Sequence, residues 1–432
     1  MQEQIFKNKI LLVLGSNVGS DEIVRYAKAH GAYTIAADYF PVEKSAVKQL
    51  ADEAVQISTN DIEALGQLIE ERHVDGVLAG ISEFNLLNAM ELAEKYHLPF
   101  YCSRMQWDAV ERKDLFRSLC RENGVPCPKE YYSGEKIPDE IYDSLEYPVV
   151  VKPVDSECSF GVHICDNKQQ LRAAQSDAIG HSLCGRIIVE AFAKGQEFTA
   201  HYTVANGEVS LSCIDNRYPV LLSEGKVTTI PVARVYPSMF LEEFKHQVDE
   251  PIKKLCKSLG LENAILFIQG MYDKSEGFSI FEAGLRSAGE APYRFLSRVN
   301  GVNNMHLLVE HALLGKSISF DSAKENPYLN GKCCAVVSFA ARGGTVGEIH
   351  GLDEAVQTTK SVIEYENRYP VGREVPYGDT LKQIIIRFVM ICDSREQLAR
   401  DVAHLNESVS VLDDKGYNMA VKIQPERLFD IY

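Results

Sequence analysis

Residues 264–286 read AILFIQGMYDKSEGFSIFEAGLR, and the reading of this stretch decides the fold. Two apolar runs, 264–272 and 278–283, flank Asp273-Lys274-Ser275-Glu276-Gly277, a pattern that predicts a β-hairpin. If the two strands pair, Gln269 and Glu282 can point the same way from neighbouring strands. Oxygen ligands at both positions, with Arg286 four residues beyond Glu282, suit Mg²⁺ and the phosphate oxygens that it bridges. The same residues also fit a buried hairpin with one stray carboxylate. The surrounding sequence has to choose between them.

A chain of 432 residues is long enough for two or three domains and a large core. Its formal charge of −16 argues against nucleic acid or an anionic membrane as the main partner, because both demand basic surface. No apolar stretch approaches the ~18–20 residues that span a bilayer, and the polar start MQEQIFKNK does not resemble a signal peptide. The 11 cysteines contain no C-x-x-C pair, so reduced thiols and a cytoplasmic location are expected rather than a disulfide framework or a zinc site. Cys158 lies in a loop of interest and reads as a small spacer rather than a catalytic thiol. The 11 histidines show no metal-ligand spacing.

Residues 9–101 alternate apolar runs (10–14, 33–37, 54–57, 75–79) with helical patterns (20–30, 43–51, 61–72, 83–96), which predicts a parallel sheet flanked by helices. The first turn, Gly15-Ser16-Asn17-Val18-Gly19-Ser20, lacks G-x-G-x-x-G spacing. It fits either a loop facing a small molecule or a plain tight turn. One helix is expected over 104–123, closed by Asn123-Gly124 and the Pro126-Cys127-Pro128 break. A smaller α+β unit follows to about residue 200. Strand-rich sequence then leads into a helix near 241–259 and the opening hairpin. From residue 333 the pattern turns to strands and Gly-rich turns.

Tyr147-Pro148-Val149-Val150-Val151-Lys152-Pro153 delivers a lysine at the end of a strand, and a short polar loop through Ser159 and Gly161 returns the chain. Such a loop can fold over phosphates, its N–H groups donating while the lysine meets the charge from below. A surface hairpin with a solvated lysine is the plainer alternative. Farther on, a strand ends in Glu190, and Ala191-Phe192-Ala193-Lys194-Gly195-Gln196 leads to a second carboxylate, Glu197.

This order (strand and lysine, small loop, I-V-E-x-F-x-x-G-x-E-F, then a carboxamide thirteen residues before E-x-G-x-R) resembles the ATP-grasp superfamily. The resemblance implies an α/β chain of four parts. An N-terminal parallel-sheet (pre-ATP-grasp) domain over 1–103 lies on the substrate side. The two-part α+β clamp covers 104–200, with phosphate lid and adenine linker, and 201–332, with the metal and phosphate site. A C-terminal α+β subdomain spans 333–432.

By position, the resemblance implies that Lys113 and Lys152 hold ATP phosphate oxygens and that Ser159 and Gly161 belong to the lid. Glu190 would meet the adenine amino group, Ala191 and Phe192 would lend backbone contacts, and Glu197 would bind the ribose. Gln269 and Glu282 would hold Mg²⁺ (or Mn²⁺), and Arg286 would act catalytically on the transferring phosphoryl group together with Lys152. Residues 217–231 would form part of the cover. Arg294 and Arg342 are further candidates for anion contacts, and Arg342-Gly343-Gly344-Thr345 equally fits an ordinary turn.

Two departures stand out. The family usually carries a carboxylate where this chain has Gln269, and Asn where it has Gly284. The first removes a charge and the second a side-chain ligand, for which Glu290 or a substrate carboxylate is a candidate replacement. The implied activity is an ATP-dependent ligase joining a small carboxylate to a small amine through an acyl phosphate, in a protein that often forms homodimers. Bicarbonate or purine-pathway chemistry, a nucleotide-binding protein without turnover, and a nicotinamide-dependent oxidoreductase are the alternatives.

Overall fold

Strands β1 (Ile10–Leu14), β2 (Tyr33–Ala37), β3 (Glu53–Val55) and β4 (Gly76–Ala79) form a parallel sheet in the order β3-β2-β1-β4, as the strand–helix alternation predicts. In this computed structural model, residues 4–156, 160–222, 230–378 and 380–431 are described. Leu11 to Leu14 are completely buried because helices cover both faces, so β1 is a continuous apolar run rather than an alternating one. Helices α1 (Ser20–Ala29), α2 (Ala46–Leu50) and α3 (Ile62–Arg72) make the crossovers, and α4 (Glu83–Lys95) follows β4. Asp61 and Ser82 cap α3 and α4 by accepting from Ala64 N–H and Asn85 N–H.

The single helix expected over 104–123 is two helices, α5 (Arg104–Glu111) and α6 (Lys113–Asn123), broken at Arg112. Arg112 takes an extended conformation and its guanidinium lies 2.9 Å from Asp114. The Lys113 N–H donates instead to the Val154 carbonyl at 2.9 Å. The break aims the first turn of α6 at the loop that follows the Lys152 strand.

A small antiparallel sheet, ordered β5-β8-β6-β7, comes next: β5 (Glu130–Gly134), β6 (Val149–Pro153), β7 (His163–Cys165) and β8 (Ile187–Ala191), with α7 (Asp139–Ser144) and α8 (Lys168–Gly180) packed on it. A second antiparallel sheet runs β10-β9-β13-β14, from β9 (Gln196–Ala205), β10 (Glu208–Ile214), β13 (Ala264–Asp273) and β14 (Gly277–Gly284). Helical sequence over 241–258 precedes this hairpin as α9 (Leu241–Phe244), a wider turn at Lys245–Asp249, and α10 (Glu250–Ser258).

Strands β11 (Asn216–Val220) and β12 (Ile230–Tyr236) join neither of these sheets. They pair into a larger one, β11-β12-β15-β19-β17, with β15 (Cys333–Ala341), β17 (Val362–Asn367) and β19 (Ile384–Cys392). That sheet draws strands from both sides of residue 333. Beside it β16 (Gly344–His350), β18 (Glu374–Val375) and β20 (Ser410–Asp413) form a three-stranded sheet.

The N-terminal sheet and the β9/β13 sheet share one apolar core. Helix α12 (Asn304–Leu314) closes the N-terminal sheet, and a Cβ at Gly76 would lie 2.5 Å from the Ala312 carbonyl oxygen. Tyr26 in α1 donates to Glu310 in α12 at 2.7 Å, which ties the N-terminal sheet's first helix to residues far along the chain. Among the described residues no helix is long and apolar enough to cross a membrane, and the ten described cysteines are all free.

Candidate functional site

Lys152 sits near the end of β6 with its side chain 8% exposed, and its Nζ lies 2.6 Å from Glu190 Oε2. The register explains the meeting. Val150 is the partner of Glu190 and Lys152 that of Ile188, so lysine and glutamate are diagonal neighbours on one face. The other Glu190 oxygen accepts from Arg117 Nε. Arg117 stands one helical turn after Lys113, so both project from the same side of α6. Lys113 Nζ donates to the Ser156 carbonyl at 2.8 Å.

Two cations, Lys152 and Arg117, thus converge on one buried carboxylate, with Lys113 close enough to act on Lys152. Burial alone would raise the Glu190 pKa, but Lys152 and Arg117 outweigh it and bring the value down to about 2. Lys152 is also pushed down from its ordinary value, first by burial and then by the positive charges of Arg117 and Lys113 against the pull of Glu190. Lys152 and Arg117 together carry one positive charge more than Glu190 neutralises.

The β13–β14 hairpin supplies the facing wall. Gln269 and Glu282 are directly opposite one another in the register, with a bulge immediately after Gln269. Arg117 Nη2 donates to the Phe281 carbonyl at 2.7 Å, and Lys152 Nζ lies 5.6 Å from the centre of the Phe281 ring. Glu282 therefore begins where the cation cluster ends. Arg286 is held by Glu83, the first residue of α4, with Nε to Oε1 at 2.9 Å, and its guanidinium lies 4.9 Å from the centre of the Phe267 ring.

Glu111, the last residue of α5, completes this wall. A Cβ at Gly284 would lie 2.8 Å from Glu111 Oε1 and 2.5 Å from the Phe267 ring, so the space of the missing side chain is already filled. That oxygen is buried without a hydrogen-bond partner. Burial, then Glu83 and Glu282, push the Glu111 carboxyl well above the usual carboxylate range, against the pull of Arg286 and Lys113. Among the described residues no three His, Cys, Asp or Glu side chains are gathered as a ready cation cage. Gln269, Glu282 and Glu111 nonetheless carry the oxygen donors a hard divalent cation takes.

The remaining candidates lie as follows. Glu197 pairs with Arg217, which is buried. The N–H groups of Ala191 and Phe192 donate to the Lys129 and Pro148 carbonyls at 2.9 and 3.2 Å. Gly161 has φ 70°, and a Cβ there would meet Pro153 and His181 at 2.9 Å, so this left-handed position requires glycine. Ser159 and Cys158 lie outside the described residues, as do residues 223–229 of the expected cover. Glu290 does not stand in for a ligand at Gly284. It faces Arg234 at 3.4 Å and His201 at 3.3 Å in a separate cluster. Arg294 pairs with Glu364 at 2.7 Å, and Arg342 is exposed.

Sequence reading missed Arg117, Glu83 and Glu111. The four-residue spacing of Lys113 and Arg117 was a visible signal for the first. The other two meet the hairpin only through tertiary packing.

A family model described as D-ala D-ala ligase C-terminus matches residues 125–219. A formate-dependent phosphoribosylglycinamide formyltransferase of Prochlorococcus marinus (strain MIT 9303) is 31% identical over 190 residues, 43% of this chain and 47% of that protein. The chain spans about half the length of the curated relatives it matches. An L-amino acid ligase from Bacillus licheniformis superposes with a TM-score of 0.76 at 19% identity, covering 94% of this chain and 99% of the ligase. The biotin carboxylase domain of Hydrogenobacter thermophilus 2-oxoglutarate carboxylase, solved with MgADP, ADP and bicarbonate, superposes with a TM-score of 0.75 at 17% identity, covering 95% and 91%.

Proposed function

We propose that this chain, which belongs to the ATP-grasp superfamily, is an ATP-dependent carboxylate–amine ligase that forms an amide or peptide bond and releases ADP and phosphate. One observation carries the reading. Arg117 and Lys152 hold a single carboxylate, Glu190, with Lys113 near Lys152, beside a hairpin bearing Gln269 and Glu282. Excess buried positive charge next to oxygen donors is what a metal-bound polyphosphate needs.

Lys113 and Lys152 neutralise phosphate oxygens, and Arg117 fixes Glu190 so that Lys152 is held in place. Glu197, at the start of β9, accepts from ribose hydroxyls. Ser159 and Gly161 belong to the loop over the phosphates. Gln269, Glu282 and Glu111 would hold Mg²⁺ (or Mn²⁺), which when bound draws charge from the phosphate oxygens. Arg286 turns toward the transferring phosphoryl group.

A carboxylate oxygen of the acid attacks the γ-phosphorus. The bond from that phosphorus to the bridging oxygen breaks, and ADP departs with the oxygen. The amine nitrogen then attacks the acyl carbon, phosphate leaves and the nitrogen gives up a proton. Acyl phosphates hydrolyse, so the site has to exclude water during both steps. The protein is expected to work in the cytoplasm. A homodimer rests on the resemblance alone.

ADP release measured with Mg·ATP and small carboxylates and amines, singly and in pairs, tests the reading. Turnover that requires one acid and rises with one amine supports it, and turnover with no pair despite ATP binding counts against it. The relative named for formate-dependent chemistry, at 31% identity, favours a second reading in which a one-carbon acid is activated. Labelled formate or bicarbonate appearing in the product would select that reading.

A further inference from the structure

Several buried or partly buried arginines have a carboxylate partner, among them Arg117 with Glu190, Arg217 with Glu197, Arg234 with Asp215, Arg286 with Glu83, and Arg294 with Glu364. Arg387 has none among the described residues. It projects from β19 toward the loop after Arg286, and its Nη1 donates to the Gly289 carbonyl at 2.8 Å. Its Nε is buried with no hydrogen-bond partner. The residue as a whole is half-buried.

The carboxylates around it are committed elsewhere. Glu366, its cross-strand neighbour, accepts from Arg368 at 2.9 Å. Glu364 holds Arg294 at 2.7 Å, and Glu290 faces Arg234 and His201. Ser338, the neighbour on the other side, carries no charge. Burial first, then Arg368 and with it Arg294, press the Arg387 guanidinium down to about 10, against Glu366 and Glu290. A guanidinium with a free buried donor and surplus positive charge is unstable unless an anion meets it. In the same loop, two residues before Gly289, Ser287 Oγ is also buried without a hydrogen-bond partner. Ser287 directly follows Arg286, so Arg387 reaches the loop that leaves the candidate phosphoryl-transfer site.

We propose that Arg387 anchors a non-reacting carboxylate of the organic substrate, so that the enzyme selects a molecule carrying a free carboxylate beyond the group that reacts. The proposal rests on the ligase reading only for the word substrate; the anion site itself stands on the geometry around Arg387. Arg387 is a specificity residue, whose unpartnered Nε together with a second guanidinium N–H would hold one carboxylate in the two-point fashion that lysine cannot reproduce.

Calorimetric titration of the full chain, loaded with Mg²⁺ and a non-hydrolysable ATP analogue, tests this with L-alanine, L-glutamate and succinate against their amides. The expected result is that at least one acid binds the unaltered protein and its amide does not. Arg387→Met and Arg387→Gln should weaken that acid roughly 10–100-fold, as loss of a hydrogen bond to a charged group does. Arg387→Lys should recover part of the loss, and the affinity for the ATP analogue should stay unchanged in all three. No preference for any acid over its amide overturns the proposal, and so does equal acid binding by the folded variants. ADP release is read separately: selective acid binding without turnover would sink the ligase reading and leave the anion site standing.

Discussion

Lys152 Nζ and Glu190 Oε2 lie 2.6 Å apart with side chains 8% and 2% exposed, and Arg117 closes on the same carboxylate from α6. Removing one partner from such a buried arrangement leaves uncompensated charge, a cost of about 3–5 kcal/mol. Glu190→Gln is therefore expected to lose that order of stability in chemical denaturation. Added nucleotide should recover part of it, because phosphates would neutralise the stranded cations. A variant as stable as the parent would show that the triad contributes little.

The same group sets an acid dependence. Burial opposes ionisation of Glu190, yet Lys152 and Arg117 hold its folded pKa at about 2, below the ordinary 4.5. A lowered carboxylate pKa contributes stability that is complete above the unfolded value and is lost as pH falls toward the folded one. The stability gap between parent and Glu190→Gln should thus be full above pH 4.5 and shrink as the pH falls toward 2. Equilibrium unfolding across that range reads it. A gap that does not change with pH would remove Glu190 ionisation from the account.

On the proposed reading, Lys152→Met takes away a cation that meets the phosphates. Removal of one fixed charge that meets the transition state costs about 10²–10³ in rate, so kcat/KM for ATP should fall by that order. Lys152→Met should also weaken binding of a non-hydrolysable ATP analogue. Unaltered nucleotide affinity and turnover would place the phosphates elsewhere.

Much of this was legible in the sequence because it is local. The alternation of 10–14, 33–37 and 75–79 with helices fixes a parallel sheet, and the turn 273–277 fixes the hairpin. The register of that turn alone would set Phe281 opposite Gln269; the bulge after Gln269, which the sequence does not mark, brings Glu282 there instead. Where local pattern met long-range packing, the reading fell short. The helix over 104–123 breaks at Arg112 because Val154, forty-one positions after Lys113, accepts the N–H that an unbroken helix would use internally. Strands β11 and β12 carry no mark that they belong with β15. Glu83 and Glu111 reach the hairpin from helices whose own patterns say only that they are helical.

Gly284 shows how such packing redefines a departure from family pattern. Where the family usually carries Asn, the space is filled by Glu111 Oε1 and the Phe267 ring, 2.8 and 2.5 Å from an added Cβ. Restoring the family residue with Gly284→Asn should therefore destabilise the protein by about 1–3 kcal/mol through overpacking rather than improve cation binding. The double variant Glu111→Ala/Gly284→Asn should regain much of that loss, since the new side chain enters the vacated space. Thermal unfolding of both decides the matter, and additive losses would mean that the two positions do not share that space.

Gln269 offers the complementary change. Its amide faces Glu282 across the hairpin, so Gln269→Glu places a second carboxylate opposite the first. Without a cation the two charges repel, and Glu111 and Glu83 already load this wall with acid. The variant should accordingly be less stable than the parent in the absence of Mg²⁺. With Mg²⁺ and an ATP analogue the order should narrow or reverse, because hard cations gain affinity as anionic ligands are added. The Mg²⁺ concentration for half-maximal ADP release should fall several-fold in parallel. Thermal unfolding against Mg²⁺ concentration reads the cation site without relying on turnover. If the variant neither gains Mg²⁺-dependent stability nor needs less Mg²⁺, then Gln269 and Glu282 do not share a cation, and the pairing in the hairpin serves the sheet alone.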